Sequence, residues 1–146
     1  MNNWSMELSA LLPEIVLASG ICVLLIVDLF VRDSARDVTY LLAIFLLAGV
    51  AWVLIGTSPD SSAHFASGGA YVADGLARVL KLFAVTAVAT VFLYSRPYLR
   101  SRNCHFGEYY VLGLFGLLGI MVLASGYSLL VSYIGLEILS LSLYAM

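Results

Sequence analysis

Long apolar runs, separated by shorter polar connections, constrain the fold of this chain more than any other feature. They cover residues 11–31, 38–56, 76–95, 108–124 and 127–146. Each run approaches the roughly 20 residues that an α-helix needs to cross a hydrocarbon layer about 30 Å thick. Only helices and closed barrels satisfy every backbone polar group inside a bilayer. The pattern therefore predicts an all-α, polytopic bundle of about five transmembrane helices in a single membrane region.

Composition supports a membrane protein and argues against several other classes. The chain is 62% hydrophobic and 11% charged, whereas soluble domains carry about 25% charged residues. It has no basic patch, so we expect lipid and no nucleic acid as a partner. Cys22, Cys104, His64 and His105 lack metal-ligand spacing, and no phosphate-binding glycine loop or flavin or haem motif occurs. We predict no metal, no bound cofactor and no redox chemistry in this chain itself.

The positions of the basic residues predict an orientation. The first and third connections carry five arginines: Arg32, Arg36, Arg96, Arg100 and Arg102. The second connection carries none, although Arg78 and Lys81 lie near the start of the third run. Because cytoplasmic connections are enriched in Lys and Arg, this distribution predicts an outer, periplasmic N-terminus. No basic residue precedes Arg32, so the first run is predicted to be a retained span and no signal peptide.

Glu137 is the main candidate functional residue. In a helix that starts near Tyr127, it lies about 15 Å along the axis, close to the middle of the hydrocarbon layer. A carboxylate at that depth costs about 3 kcal/mol on insertion scales, and ionisable groups kept there usually serve ion or proton movement. We predict that Glu137 is a proton-channel residue. The alternative is a protonated carboxyl group that hydrogen-bonds a neighbouring helix.

The fifth run has a polar face and a small-residue face when it is drawn as a helix. The polar face carries four residues: Tyr133, Glu137, Ser140 and Tyr144. The opposite face carries three small residues: Ser128, Gly135 and Ser142. We predict that the first set supports the carboxylate and that the second packs closely against another helix.

Charged residues near the starts of the first and third runs have structural interpretations. Glu14 follows Pro13, and a proline and an acid both suit a first helical turn. Asp74 is predicted to cap the third helix and to pair with Arg78 at i+4. Lys81, the only lysine, lies about 9 Å into its run. It is predicted to extend toward the outer interface. The alternative is a role in a charged network, as a residue that supports Glu137.

The remaining predictions are structural. Asp28 is placed to pair with Arg32 at i+4. Gly113, Gly116 and Gly119 predict a groove for a neighbouring helix. Residues 57–75 are rich in Gly and Ser, and their apolar residues favour a short hairpin.

The last run ends without a polar flank, which natural spans usually have. We therefore expect the N-terminal part of a longer protein, the alternative being a protein of five spans. Five spans in 146 residues fit either expectation.

Four segments carry a family resemblance: Leu12-Pro13-Glu14-Ile15, Asp74-Gly75-Leu76-Ala77-Arg78 with Lys81, Gly107-Glu108-Tyr109-Tyr110, and Gly135-Leu136-Glu137-Ile138-Leu139-Ser140-Leu141-Ser142-Leu143-Tyr144. They resemble subunit N of bacterial respiratory complex I, the proton-pumping NADH–quinone oxidoreductase. The likeness covers essentially the whole chain. Its specific parts are the Gly-Glu-Tyr-Tyr and Gly-Leu-Glu-Ile-Leu-Ser segments, since the apolar runs between them are common to many membrane proteins.

The resemblance implies an antiporter-like, fourteen-span subunit of a translocase in the bacterial inner membrane, which helps to move protons when quinone is reduced elsewhere. It gives Glu137 an essential role in the proton channel, together with lysines on the seventh, eighth and twelfth spans, outside these 146 residues. The implied partners are other membrane subunits of the electron transport chain. NADH, flavin, iron–sulfur clusters and quinone would be used in other subunits.

The residues alone are also consistent with two other functions. One is a subunit of a related cation/proton antiporter or of a membrane-bound hydrogenase complex. The other is a membrane scaffold without a transport role, in which the Glu137 carboxyl group would be dispensable.

Overall fold

Five helices make up most of the chain. The computed structural model describes residues 3–30, 37–56, 64–66, 71–101 and 107–146. The elements are, in chain order, α1 (Asn3–Phe30), α2 (Asp37–Gly56), β1 (His64–Ala66), β2 (Tyr71–Ala73), α3 (Gly75–Ser101), α4 (Gly107–Ser125) and α5 (Leu129–Ala145). The helices α1 to α4 contain segments long and apolar enough to cross a membrane, while α5 is apolar but shorter, at 17 residues. The prediction of an all-α membrane bundle is confirmed.

Two helices extend past their predicted ends, and each continues through a proline. The first begins at Asn3 and contains Pro13, which was predicted to mark the helix start. The third continues to Ser101 and contains Pro97, which was predicted to lie in a connection. A proline removes one helical hydrogen bond, and membrane helices tolerate this where surrounding groups satisfy the freed carbonyl.

A short hairpin joins α2 to α3. Its strands are antiparallel, with Phe65 opposite Val72 in the register. The predicted hairpin is therefore present, as a three-residue pairing that leaves the architecture helical.

The first four helices form a ring. Each of α1, α2 and α3 packs against the next helix, and α4 packs against α1. Across the interior, α2 and α4 also meet, so α1 and α3 occupy the more distant diagonal. The centre is filled by apolar side chains from all four helices, among them Leu17, Ile21, Leu47, Val50, Phe92, Leu114 and Leu117. The fifth helix packs on the outside of this ring, mainly against α4.

The start of α4 lies against a carboxylate from α1. Asp28 accepts a hydrogen bond from the Thr39 hydroxyl at 2.8 Å, and its carboxyl group lies so close to Gly107 that a Cβ there would overlap it. A negative charge at a helix N-terminus is favourable because the first backbone N–H groups point toward it. Glycine at position 107 is what allows this approach. The predicted partner Arg32 lies outside the described residues.

A cluster of aromatic side chains lies at this same end of the four-helix ring. Tyr110 makes edge-to-face contacts with Tyr40 and Phe92, at centroid distances of 5.6 and 5.1 Å. Arg96 lies 4.5 Å above the Tyr40 ring. Aromatic rings in edge-to-face geometry attract each other, and a cation above the face of a ring adds a further attraction. The cluster therefore holds α2, α3 and α4 together. Arg96, assigned to a connection from the sequence, is part of α3.

Candidate functional site

Glu137 lies midway along α5. It is the ninth of the helix's 17 residues, about 12 Å from the start of a helix roughly 25 Å long. Its side chain is half-buried. Ser128 fixes the helix start, since its side-chain oxygen accepts a hydrogen bond from the Leu130 backbone N–H at 3.3 Å. The helix thus begins two residues later than predicted, and the carboxylate stays at its centre.

Tyr133 is the polar-face residue that the structure joins to the carboxylate. Its hydroxyl interacts electrostatically with the Glu137 side chain one turn away. Ser140 donates to the Glu137 backbone carbonyl at 3.0 Å instead of the carboxylate. Tyr144 is 93% exposed. The four residues share the predicted face, and the Tyr133 phenol is the member of this face that interacts with the Glu137 side chain.

The polar face of α5 points away from the helix ring. Tyr133 is 63% exposed, and the neighbouring Leu136 and Leu141 are also more than half exposed. On the opposite side, Gly135 and Ser142 are buried. Glu137 is thus presented at a surface that α1 to α4 leave uncovered in the described part of the chain.

Close packing against α4 explains the orientation of α5. A Cβ at Gly119 would come within 2.9 Å of the Gly135 carbonyl oxygen, and a Cβ at Gly135 would lie 3.0 Å from the Leu123 backbone nitrogen. Only glycine lets two helix backbones approach this closely. Gly116 faces Ser142 in the same contact, whereas Gly113 lies under the Phe92 ring of α3. The predicted glycine groove therefore contacts two different neighbours.

A second pair of ionisable groups lies inside the ring. The Lys81 Nζ of α3 lies 2.5 Å from the Glu14 Oε1 of α1, and both side chains are buried. The prediction that Lys81 extends to the interface is wrong, because its ammonium group pairs with a carboxylate in the interior. The alternative, a role in a charged network, agrees with this ion pair. The prediction for Glu14 also changes: α1 begins well before it, so Glu14 is in a helix interior and not in a first turn.

Sequence reasoning missed this pairing, although one signal was present. Glu14 lies three residues into the apolar segment that starts at Leu11, and Lys81 lies six residues into α3. Successive spans of a polytopic protein alternate in direction, so the sequence predicts parallel first and third spans with the two residues at similar depth. The available signal was that two residues of opposite charge, Glu14 and Lys81, are expected at matching depths in parallel spans.

The Arg78 side chain caps the C-terminal end of α2 and makes no ion pair with Asp74. Its guanidinium donates to the backbone carbonyls of Leu54 and Ile55, at 2.6 and 2.7 Å. The Asp74 carboxylate accepts from the Gly75 backbone N–H at 2.6 Å, at the start of α3. The capping prediction for Asp74 is confirmed and the Asp74–Arg78 pair is wrong. A cation is more favourable at the α2 C-terminus, where carbonyl groups lack helical partners.

Several predictions concern residues outside the described part of the chain. Arg36, Arg102, Cys104 and His105 are among these, and so is much of the charge on which the orientation was predicted. Cys22 is an exposed, free thiol on α1. Within the described residues, no three His, Cys, Asp or Glu side chains are grouped closely enough to hold a metal ion.

Comparison with known proteins gives a consistent result. No protein-family model matches the chain. It is 50% identical over 136 residues to NADH-quinone oxidoreductase subunit N of Thioalkalivibrio sulfidiphilus, which covers 92% of this chain and 28% of the relative. It is 44% identical to the proteins of the same name from Ruthia magnifica and Acidithiobacillus ferrooxidans, over 100% of this chain and 31% and 30% of those relatives.

These identities extend through all five helices and include the region of Glu137. The chain spans about 30% of the length of the curated relatives it matches. Its match with two of them extends over the full 146 residues. Over nearly its whole length, the chain is therefore homologous to a part of NADH-quinone oxidoreductase subunit N.

Proposed function

We propose that this chain forms part of a membrane subunit of an NADH–quinone oxidoreductase and helps to translocate protons across the bacterial inner membrane. The observation that carries the proposal is the 38–50% identity to proteins named as subunit N of that enzyme. A bundle with four helices long enough to cross a membrane supports it. Quinone reduction, with NADH, flavin and iron–sulfur clusters, takes place in other subunits.

The proton step is assigned to Glu137. A half-buried carboxylate midway along an apolar helix can bind a proton without a large solvent penalty and can release it when a cation approaches. The Tyr133 hydroxyl, one turn earlier in α5, interacts electrostatically with this carboxyl group. Ser140 and Tyr144 line the same face, while Lys81 is held by Glu14 and belongs to a different part of the bundle.

The uncovered polar face supports a partner outside the described residues. By resemblance to the family, that partner carries a lysine from a later span. A lysine close to the carboxylate favours loss of its proton, and withdrawal of the lysine favours uptake, which gives a two-state switch. In the proposed orientation the N-terminus faces the periplasm, and the other membrane subunits of the complex complete the path.

Copurification tests the assignment to this enzyme. The full-length protein that contains this chain is tagged and isolated from gently solubilised membranes, and the isolated material is assayed for NADH-dependent quinone reduction. We expect the activity to copurify and to be lost from membranes of a strain that lacks the gene. Copurification with antiporter or hydrogenase subunits, without NADH-dependent quinone reduction, would replace the proposal with one of those complexes.

A further inference from the structure

The Glu14–Lys81 pair has no part in the Glu137 site and needs its own explanation. It bridges α1 and α3, the helices on the longer diagonal of the ring, with its two charged atoms 2.5 Å apart in the interior. Buried ion pairs are often replaceable by apolar side chains without loss of stability. Attraction between the two charges is therefore an incomplete reason for their presence.

The apolar side chains of α1 do not specify which face of the helix turns inward. Leu17, Ile21 and Leu24 are buried, whereas the similarly apolar Val23 and Ile26 are exposed. Inside a bilayer, the hydrophobic effect does not distinguish these faces, because lipid tails are as apolar as leucine. Another feature has to set the rotation of the helix.

Charged side chains supply that information. A lone carboxylate or ammonium group that faces lipid is unfavourable, and the penalty is reduced when the two groups pair inside the bundle. The backbone carbonyls at the neighbouring C-terminal end of α2 already have a cationic partner, since Arg78 donates to those of Leu54 and Ile55. Glu14 and Lys81 form an ion pair with each other in the interior of the bundle.

We propose that the Glu14–Lys81 pair sets the rotation and depth at which α1 and α3 dock during assembly of the bundle, and that neither residue carries translocated protons. Fixing the register of packed helices is the best-attested role of buried polar groups. The role depends on opposite charge at the two positions. It does not depend on which helix carries which sign.

Four variants of the full-length protein in its membrane complex test this proposal: Glu14→Gln, Lys81→Gln, the exchange Glu14→Lys with Lys81→Glu, and the neutral pair Glu14→Leu with Lys81→Met. The amount of assembled complex and its thermal midpoint are measured, together with the protons moved per NADH oxidised by the complex that assembles. Glu108→Gln is the control, because Glu108 is an exposed carboxylate on α4.

We expect each single variant to lower the assembled amount several-fold, since losses of folding stability of this kind change abundance by that much. The exchange or the neutral pair should recover most of it, because neither leaves a lone buried charge. Protons moved per NADH should stay at the wild-type value throughout. The assembly measurements do not depend on the proposed activity, so the register proposal and the proposed function can fail separately.

Three outcomes would overturn the register proposal. Single variants that assemble like Glu108→Gln would show that the pair does not direct docking. Single variants that neither double variant recovers would show that opposite charge is not what matters. A lower number of protons per NADH in a normally assembled single variant would make Glu14 or Lys81 part of the proton path.

Discussion

At the residue scale, the environment of Glu137 combines a local partner with an open side. Tyr133 interacts electrostatically with the carboxyl group from one turn earlier in α5, while exposed side chains of the same helix flank it on the face turned away from the ring. A carboxylate that is stabilised on one side and accessible on the other can change its protonation state when a second charge approaches. The pair Tyr133–Glu137 is therefore the unit on which substitutions should act.

Removal of the Tyr133 hydroxyl tests this unit. In Tyr133→Phe, the Glu137 carboxyl group loses the hydroxyl with which it interacts, so NADH-driven proton uptake by inverted membrane vesicles should fall several-fold. Tyr144→Phe is the matched control, because Tyr144 lies on the same face but is 93% exposed. Equal losses in the two variants would contradict a specific role for Tyr133.

The roles of some of these residues could be predicted from the sequence, and those of others could not. Glu137 stands out because a single charge interrupts an apolar run, and the shared face of Tyr133 follows from helical periodicity alone. The Glu14–Lys81 pair joins positions 67 residues apart, and no local pattern in one sequence reports such a contact. Each residue alone also had an adequate local explanation, as a first-turn acid and as an interfacial lysine.

At the element scale, the contact between α4 and α5 fixes where the carboxylate points. The two helices approach through Gly119 and Gly135, with each backbone in the space that a side chain would need on the other. Such approach lets dispersion contacts and weak Cα–H hydrogen bonds accumulate over the whole interface. The Glu137 side of α5 faces outward because the opposite side, which carries Gly135, is packed against α4.

A single methyl group at this contact should separate the helices. In Gly119→Ala, the new Cβ would lie 2.8 Å from the Leu139 backbone nitrogen, which only backbone movement can relieve. We expect a loss of about 1–3 kcal/mol in stability, seen as a lower thermal midpoint in detergent.

Gly49→Ala is the corresponding control on α2. A Cβ at this position meets no atom within 4 Å, and alanine favours a helix by about 1 kcal/mol over glycine. Its midpoint should be unchanged or raised. A midpoint in Gly119→Ala that is unchanged or raised, as in Gly49→Ala, would contradict the close contact between α4 and α5.

Most helices could be predicted because about 20 consecutive apolar residues have few alternatives in a bilayer. The boundaries were harder to predict. Pro13 and Pro97 are typical markers of helix ends in water-soluble proteins, yet both lie inside helices here. The local preference of proline was outweighed by the requirement that backbone groups stay hydrogen-bonded along the segment.

At the scale of the whole molecule, two groups of charges have separate positions. The Glu14–Lys81 pair lies inside the ring of α1 to α4, and Glu137 lies outside it on α5. The relatives are about three times longer than this chain, which supports a proton path completed by other helices beside α5. Under the proposed function, the helix ring is the support and α5 carries the proton-binding group.

The most direct test of the central claim is the number of protons translocated per NADH oxidised when Glu137 loses its charge. It is measured in vesicles that contain the complete complex, with Glu137→Gln, Glu137→Asp and, as a control for an exposed carboxylate, Glu108→Gln. The account predicts a clear fall for Glu137→Gln, a partial fall for Glu137→Asp, and no change for Glu108→Gln. A wild-type ratio in fully assembled Glu137→Gln complex would contradict the claim that Glu137 carries protons.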